Sequence, residues 1–131
     1  MKYLFTPEYK KSHHYLEKDW IIYEFFDVAY DDNKFVKVIA CICNNIGYSI
    51  NDVGYTFPDL KSIDESLHFD GVLFYRFDED IFITDDDFKK YVQNICEVFL
   101  EKHPEHALEI KKNMSRFRKL SNGVGDILQG A

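Results

Sequence analysis

The stretch Gly71-Val-Leu-Phe-Tyr-Arg-Phe-Asp-Glu-Asp-Ile-Phe-Ile-Thr-Asp-Asp-Asp87 decides the fold class of this chain. Its β-branched and aromatic residues form two short runs, 71–77 and 80–83, on either side of the acidic pair Asp78-Glu79. Two such runs around a short polar turn predict a β-hairpin. Because side chains alternate along a strand, residues 72, 74 and 76 should share one face and residues 73, 75 and 77 the other.

A helix is predicted directly after this hairpin. Thr84 is a suitable N-cap, and the three aspartates that follow it complement the positive end of a helix dipole. Pro104 is expected to begin a further helix at its first turn. Between them, apolar residues recur at the spacing of one buried helical face: Phe88, Tyr91, Val92, Ile95, Cys96 and Phe99.

Two more helices are predicted before the hairpin. Asp19 is a plausible N-cap for the first, whose apolar stripe runs through residues 21–29. The second has its stripe at residues 35–46 and should stop at Gly47, where a left-handed residue commonly ends a helix.

The remaining segments give weaker patterns. Residues 48–66 are interpreted as a loop with one short strand around residues 54–57, because turn signals interrupt them. Residues 1–18 are expected to be irregular and held in place by Tyr3, Phe5 and Tyr15.

These elements predict the α+β class, with N-terminal helices, a small antiparallel sheet with a central hairpin, and C-terminal helices. A length of 131 residues suits one domain. We expect a single α+β domain over residues 1–120 and a flexible C-terminal tail over the glycine-containing residues 121–131.

The acidic residues are concentrated in the middle of the chain. The formal net charge is −7, but residues 52–87 alone hold eleven acids and two bases, a net charge of −9 in 36 residues. Such a field attracts basic proteins and repels phosphate backbones. We therefore expect a basic protein partner, no direct binding to nucleic acid or anionic membrane, and an acidic surface gathered on one exposed face.

The sequence also favours a cytoplasmic protein. No apolar run follows a basic start, as a signal peptide would require, and no stretch reaches the ~18 apolar residues that span a bilayer. Three cysteines, an odd count placed within apolar stretches, do not indicate a disulfide framework.

Catalytic signatures are missing from the sequence, and we expect neither an enzyme nor a cofactor. Metal binding by the histidines is not favoured, and the cysteines on apolar stripes should behave as small hydrophobic residues. One alternative stays open, a metal-dependent hydrolase that uses the clustered carboxylates of Asp78, Glu79 and Asp80. Another is an adaptor that binds some other basic protein.

The segment from Gly54 to Pro104 resembles the immunity proteins of contact-dependent growth inhibition systems, the group that protects bacteria against ribonuclease toxins. The resemblance lies in these residues and motifs: Gly54-Tyr-Thr-Phe-Pro58, Gly71-Val-Leu-Phe74, Asp78-Glu-Asp-Ile-Phe-Ile83, Phe88, Tyr91, Cys96 and His103-Pro104. It implies a cytoplasmic bacterial protein that binds the nuclease domain of its cognate CdiA toxin and blocks the active site or its access to RNA.

The resemblance supplies no catalytic residues, so the toxin-binding positions are inferred from charge. A rigid set of carboxylates can pair with the lysines and arginines of a nuclease groove, and aromatic side chains beside them can anchor the complex. The residues predicted to bind the toxin are Asp64, Glu65, Asp70, Tyr75, Asp78, Glu79, Asp80, Asp85, Asp86 and Asp87.

Overall fold

A computed structural model describes residues 2–14 and 16–117, and it has the predicted α+β architecture. The helices are α1 (Pro7–His13), α2 (Trp20–Asp31), α3 (Phe35–Cys43), α4 (Asp85–Lys102) and α5 (107–117). The strands are β1 (Tyr48–Ile50), β2 (Val53–Thr56), β3 (Val72–Arg76) and β4 (Glu79–Ile83). Short 3₁₀ turns lie at Glu65–Leu67 and Pro104–His106.

The four strands form an antiparallel meander in the order β1-β2-β3-β4. The first hairpin was only partly predicted, because the strand at Tyr48–Ile50 was interpreted as loop. Its turn is Asn51-Asp52, and both residues have positive φ, at 51° and 65°. That geometry matches the twist of a two-residue hairpin. A three-residue strand is too short to show a clear alternation, so the turn was the stronger signal.

The central hairpin is confirmed, with its turn one residue earlier than predicted. Phe77 and Asp78 form the turn, Phe77 has a φ of 55°, and Glu79 already pairs with Arg76 as part of β4. The acidic composition of residues 78–80 concealed this register, since Glu79 is unusual in a strand.

The N-terminal segment is not irregular as predicted, because α1 forms there. Thr6 caps this helix by accepting a hydrogen bond from the Tyr9 N–H at 3.0 Å, and Pro7 occupies its first turn. Phe5 is buried as expected, whereas Tyr3 is 58% exposed. Tyr15 and the predicted tail, residues 121–131, lie outside the described residues.

The predicted end of the second helix was also wrong. Helix α3 stops at Cys43, and Asn45 takes the left-handed conformation, with a φ of 57°. Asparagine tolerates this conformation because its short polar side chain can bond locally. Ile46, assigned to the buried stripe, is instead 53% exposed.

The core lies between one face of the sheet and the helices. Helix α2 packs against β1, β2 and β3. The ring of Phe74 on β3 lies 6.0 Å from Phe25, 6.2 Å from Phe26 and 5.9 Å from Phe88, measured between centroids. The helices therefore cover the side of the sheet that carries Phe74, which we call the inner face; the opposite side is the outer face.

Candidate partner-binding surface

The register of the strands identifies the side chains of the outer face, since directly paired residues share a face. One row across the sheet is Ser49, Gly54, Tyr75 and Asp80, and the next is Thr56, Leu73 and Phe82. Their neighbours in each strand belong to the inner face. Ser49, Asp80 and Phe82 are exposed, and Thr56, Leu73 and Tyr75 are half-buried.

Tyr75 lies across β2 at Gly54. A Cβ atom on residue 54 would sit 2.8 Å from the Tyr75 hydroxyl oxygen and 2.5 Å from the Tyr48 carbonyl oxygen. The missing side chain at position 54 thus leaves the space into which the Tyr75 hydroxyl extends. Tyr75 is the predicted aromatic member of the site, and the structure places it near the centre of the outer face.

Three predicted acids lie at the turn end of the central hairpin. Asp78, Glu79 and Asp80 are exposed, but Glu79 and Asp80 are successive strand residues and point to opposite faces. Among the described residues, this arrangement does not bring the three carboxylates of the hydrolase alternative together. Arg76, the nearest base along β3, is engaged elsewhere, at 2.8 Å from the Glu24 carboxylate.

The other predicted acids lie at the opposite end of the hairpin, which we call the helix end. Asp85 and Asp86 are exposed in the first turn of α4, and Asp87 is half-buried, with its N–H donating to Thr84 Oγ1 at 3.1 Å. The confirmed Thr84 cap places their carboxylates where the helix dipole favours them.

The remaining acids lie in the loop 57–71, which leaves β2 and returns to β3 at the helix end. Asp64, Glu65 and Asp70 are exposed. The Asp64 carboxylate accepts hydrogen bonds from the Ser66 hydroxyl at 2.7 Å and the Ser66 N–H at 3.0 Å, which lower the pKa of this carboxyl group. Asp64 therefore keeps its negative charge in mildly acidic solution.

The acids do not form the single continuous cluster that was expected. They divide between the two ends of the β3–β4 hairpin, and the strand between Val72 and Arg76 separates these ends by about 13 Å. The outer face lies between the two groups. Eight of the nine predicted acids are exposed, so both groups face solvent.

The grouping of exposed apolar side chains within one segment is the feature that composition alone did not reveal. Nine large hydrophobic side chains of the described residues are exposed, and five of these lie between residues 60 and 82. They are Leu60, Ile63, Leu67, Phe77 and Phe82. Phe82 lies on the exposed face of β4. Because β4 carries apolar residues on both faces, the sequence did not show which face is exposed.

Two negative findings concern only the part of the chain that is described. Residues 2–14 and 16–117 contain no group of three or more His, Cys, Asp or Glu side chains arranged to hold a metal ion. Within the same ranges, none of the helices is long and apolar enough to cross a membrane.

Two of the three cysteine thiols show the burial that their apolar stripes predicted, whereas Cys41 is half-buried. All three are free, and Cys43 and Cys96 are buried. Burial, the largest cause, raises the pKa of Cys43 to about 11 and that of Cys96 to about 12. Both thiols therefore remain protonated at neutral pH. Since the thiolate is the nucleophilic form of cysteine, neither thiol is a reactive nucleophile there.

We expect iodoacetamide at pH 8 to label Cys43 and Cys96 only after denaturation, with mass spectrometry of tryptic peptides as the measurement. The free energy of unfolding should also fall as the pH rises from about 8.5, where unfolded thiols ionise, towards the raised folded values. Rapid labelling of Cys96 in the native protein would contradict this burial.

Comparison with known families agrees with the resemblance seen in the sequence. A family model described as "CDI immunity protein" matches residues 18–114. The chain belongs to this family. The match extends well beyond the resemblance at residues 54–104, because it includes α2 and α3, which gave no separate resemblance. No curated protein matches the chain.

Membership of the CDI immunity protein family gives the chain an immunity role, in which it binds a cognate toxin. The family match includes all four strands and both groups of predicted acids. It leaves out α1, which begins and ends before residue 18.

Proposed function

We propose that this CDI immunity protein acts in the cytoplasm, where it binds a nuclease domain of a cognate CdiA toxin through its acidic surface and blocks the active site or its access to RNA. It acts by binding and not by catalysis. The observation that carries the proposal is the excess of nine negative charges in residues 52–87, most of it on exposed side chains.

Two of the chain's bases are engaged away from the predicted acids, most of which are exposed to solvent. Among the described residues, Lys10 pairs with Asp27 and Arg76 with Glu24, outside the predicted set of acids. Arg76 is further held by the rings of Trp20 and Phe77, 5.6 and 5.2 Å from its guanidinium carbon. The active-site groove of a nuclease is basic because it binds phosphates, and its charge complements this surface.

Neutralising the turn end should weaken toxin binding. We expect the triple variant Asp78→Asn, Glu79→Gln, Asp80→Asn to raise the Kd for the toxin domain roughly 10- to 100-fold, mainly through slower association. The measurement is biolayer interferometry with the purified C-terminal domain of the cognate CdiA toxin. The salt dependence of the association rate should also become shallower.

The matched control removes the same three charges elsewhere. Glu8→Gln, Glu17→Gln, Asp32→Asn changes three exposed acids outside residues 52–87 and should leave the Kd within about threefold of the wild-type value. If both triple variants weaken binding equally, net charge and not this surface would account for the effect. If the wild-type protein does not bind the toxin domain, the proposed function is wrong.

A further inference from the structure

The exposed hydrophobic side chains and the acids are concentrated in the same segment of the sequence. Residues 60–82 carry five of the nine exposed large hydrophobic side chains of the described chain, within the segment that holds the negative charge. Ile63 is 99% exposed, Leu60 70% and Phe82 55%. Single exposed apolar residues are ordinary, but a grouped set flanked by charge indicates an interaction site.

The outer face of the sheet places one member of this set, Phe82, among other apolar side chains. Phe82 lies in the same row as the half-buried Leu73, and its ring contacts that of Phe69 in the loop 57–71, with centroids 5.3 Å apart. Tyr75 occupies the adjacent row. These side chains form a continuous apolar and aromatic strip on a rigid sheet, where little conformational entropy remains to be lost on binding.

The charges on either side of this strip indicate which kind of partner could bind to it. Asp78 and Asp80 lie at one end, and Asp70 and Asp85 at the other. Two copies of this chain would bring like charges together across the strip, which opposes self-association. A partner with lysines or arginines on both sides of an apolar projection would be complementary.

We propose that the outer face, centred on Phe82, Leu73 and Tyr75, is the apolar centre of the toxin interface, and that the toxin fills it with an apolar element flanked by basic side chains. This inference rests on the proposed function and identifies the surface whose contacts limit the dissociation rate. Well-packed apolar contacts at an interface centre slow dissociation, whereas charges at its rim speed association. The two sets of residues should therefore affect different rate constants.

The test compares Phe82→Ala with the acid triple variant at residues 78–80, using the same toxin domain in biolayer interferometry. We expect Phe82→Ala to raise the dissociation rate about tenfold or more and to leave both the association rate and its salt dependence within about twofold. The acid variant should show the reverse pattern. Phe69→Ala, which removes the ring 5.3 Å from that of Phe82, gives a second test of the apolar strip.

Leu108→Ala is the matched control, because Leu108 is 86% exposed on α5 and outside the segment. Its dissociation rate should equal that of the wild-type protein. Circular dichroism and thermal unfolding check that each variant is folded. We expect Phe82→Ala to fold because this side chain is exposed.

Each outcome distinguishes this inference from the proposed function. If the acid variant weakens binding while Phe82→Ala and Phe69→Ala do not, the acidic surface stands and the apolar centre is wrong. If the wild-type chain fails to bind the toxin domain, both proposals are overturned. If the wild-type chain dimerises in sedimentation and Phe82→Ala abolishes the dimer, a second copy covers the face and the inference is overturned.

Discussion

Replacement of Asp27 by alanine is expected to lower the free energy of unfolding by roughly 2–5 kcal/mol. The Asp27 side chain is buried in α2, and its Oδ1 accepts hydrogen bonds from the Leu4 N–H at 2.7 Å and the Phe5 N–H at 3.2 Å. The Lys10 ammonium group lies 2.7 Å from Oδ2. Truncation would leave two buried N–H groups without an acceptor and release Leu4 and Phe5 from the core.

The effect is large because both oxygens of the Asp27 carboxylate contact other groups. Among the described residues, Oδ2 has no partner with hydrogen-bond geometry, so the ionic contact with Lys10 compensates its burial. Because the Lys10 side chain is 37% exposed, water can solvate it after truncation, and most of the cost comes from the Leu4 and Phe5 N–H groups, which lose a charged acceptor. Urea unfolding followed by tryptophan fluorescence measures the loss.

Two variants control this prediction. Asp27→Asn keeps an acceptor oxygen for Leu4 and Phe5 and should cost less than Asp27→Ala. Asp31→Ala removes an exposed carboxylate that also accepts a backbone N–H from the N-terminal segment, that of Lys2 at 2.7 Å, and should cost no more than about 1 kcal/mol. Equal losses in Asp31→Ala and Asp27→Ala would show that burial of the carboxylate is not the decisive factor.

The amphipathic helices were predictable because their periodicity is long and locally encoded. All six residues of the α4 stripe, from Phe88 to Phe99, are buried, and Thr84 caps the helix as its position predicted. Helix α1 was not predictable in this way, since it has no buried residue and only seven residues. Its Lys10 makes a long-range contact with Asp27. In the sequence, Asp27 is only one acid within an apolar helical stripe and gives no sign of this contact.

Asp19 illustrates the same limit. It was predicted as an N-cap and does precede α2, but its side chain makes no capping hydrogen bond. The buried carboxylate instead accepts a hydrogen bond from the Tyr91 hydroxyl at 2.9 Å and contacts His14. Residues 19 and 91 are far apart in the chain, so no local pattern could have predicted their contact.

The candidate site was predictable in charge but not in shape. Counting acids located the negative segment, yet only the strand register shows that Asp80 and Tyr75 share the outer face while Glu79 does not. The apolar strip required both the register and the position of the loop 57–71, which brings Phe69 to Phe82. A change of one residue in the length of the turn would assign every β4 side chain to the wrong face, whereas the displacement found here keeps a two-residue turn and leaves the faces unchanged.

Replacement of Gly71 by alanine is expected to cost roughly 3–5 kcal/mol of unfolding free energy, because two penalties combine. Gly71 has a φ of 86°, which disfavours any residue with a Cβ atom. A Cβ atom there would also lie 1.9 Å from the Ile83 carbonyl oxygen. Since that atom belongs to the backbone of β4, a side-chain rotation cannot relieve the clash, and the β3–β4 pairing must shift.

Gly47→Ala is the matched control, because a Cβ atom at residue 47 would lie 3.0 Å from the Tyr55 carbonyl oxygen, a contact that a small adjustment relieves. Its cost should stay near 1 kcal/mol or below. Gly71 joins the acidic loop 57–71 to β3 and contacts the residues just before α4, so its replacement should also weaken toxin binding by displacing Asp70 relative to Asp85. If Gly71→Ala proves as stable as Gly47→Ala in urea unfolding, the close approach of β3 to β4 at this position is wrong.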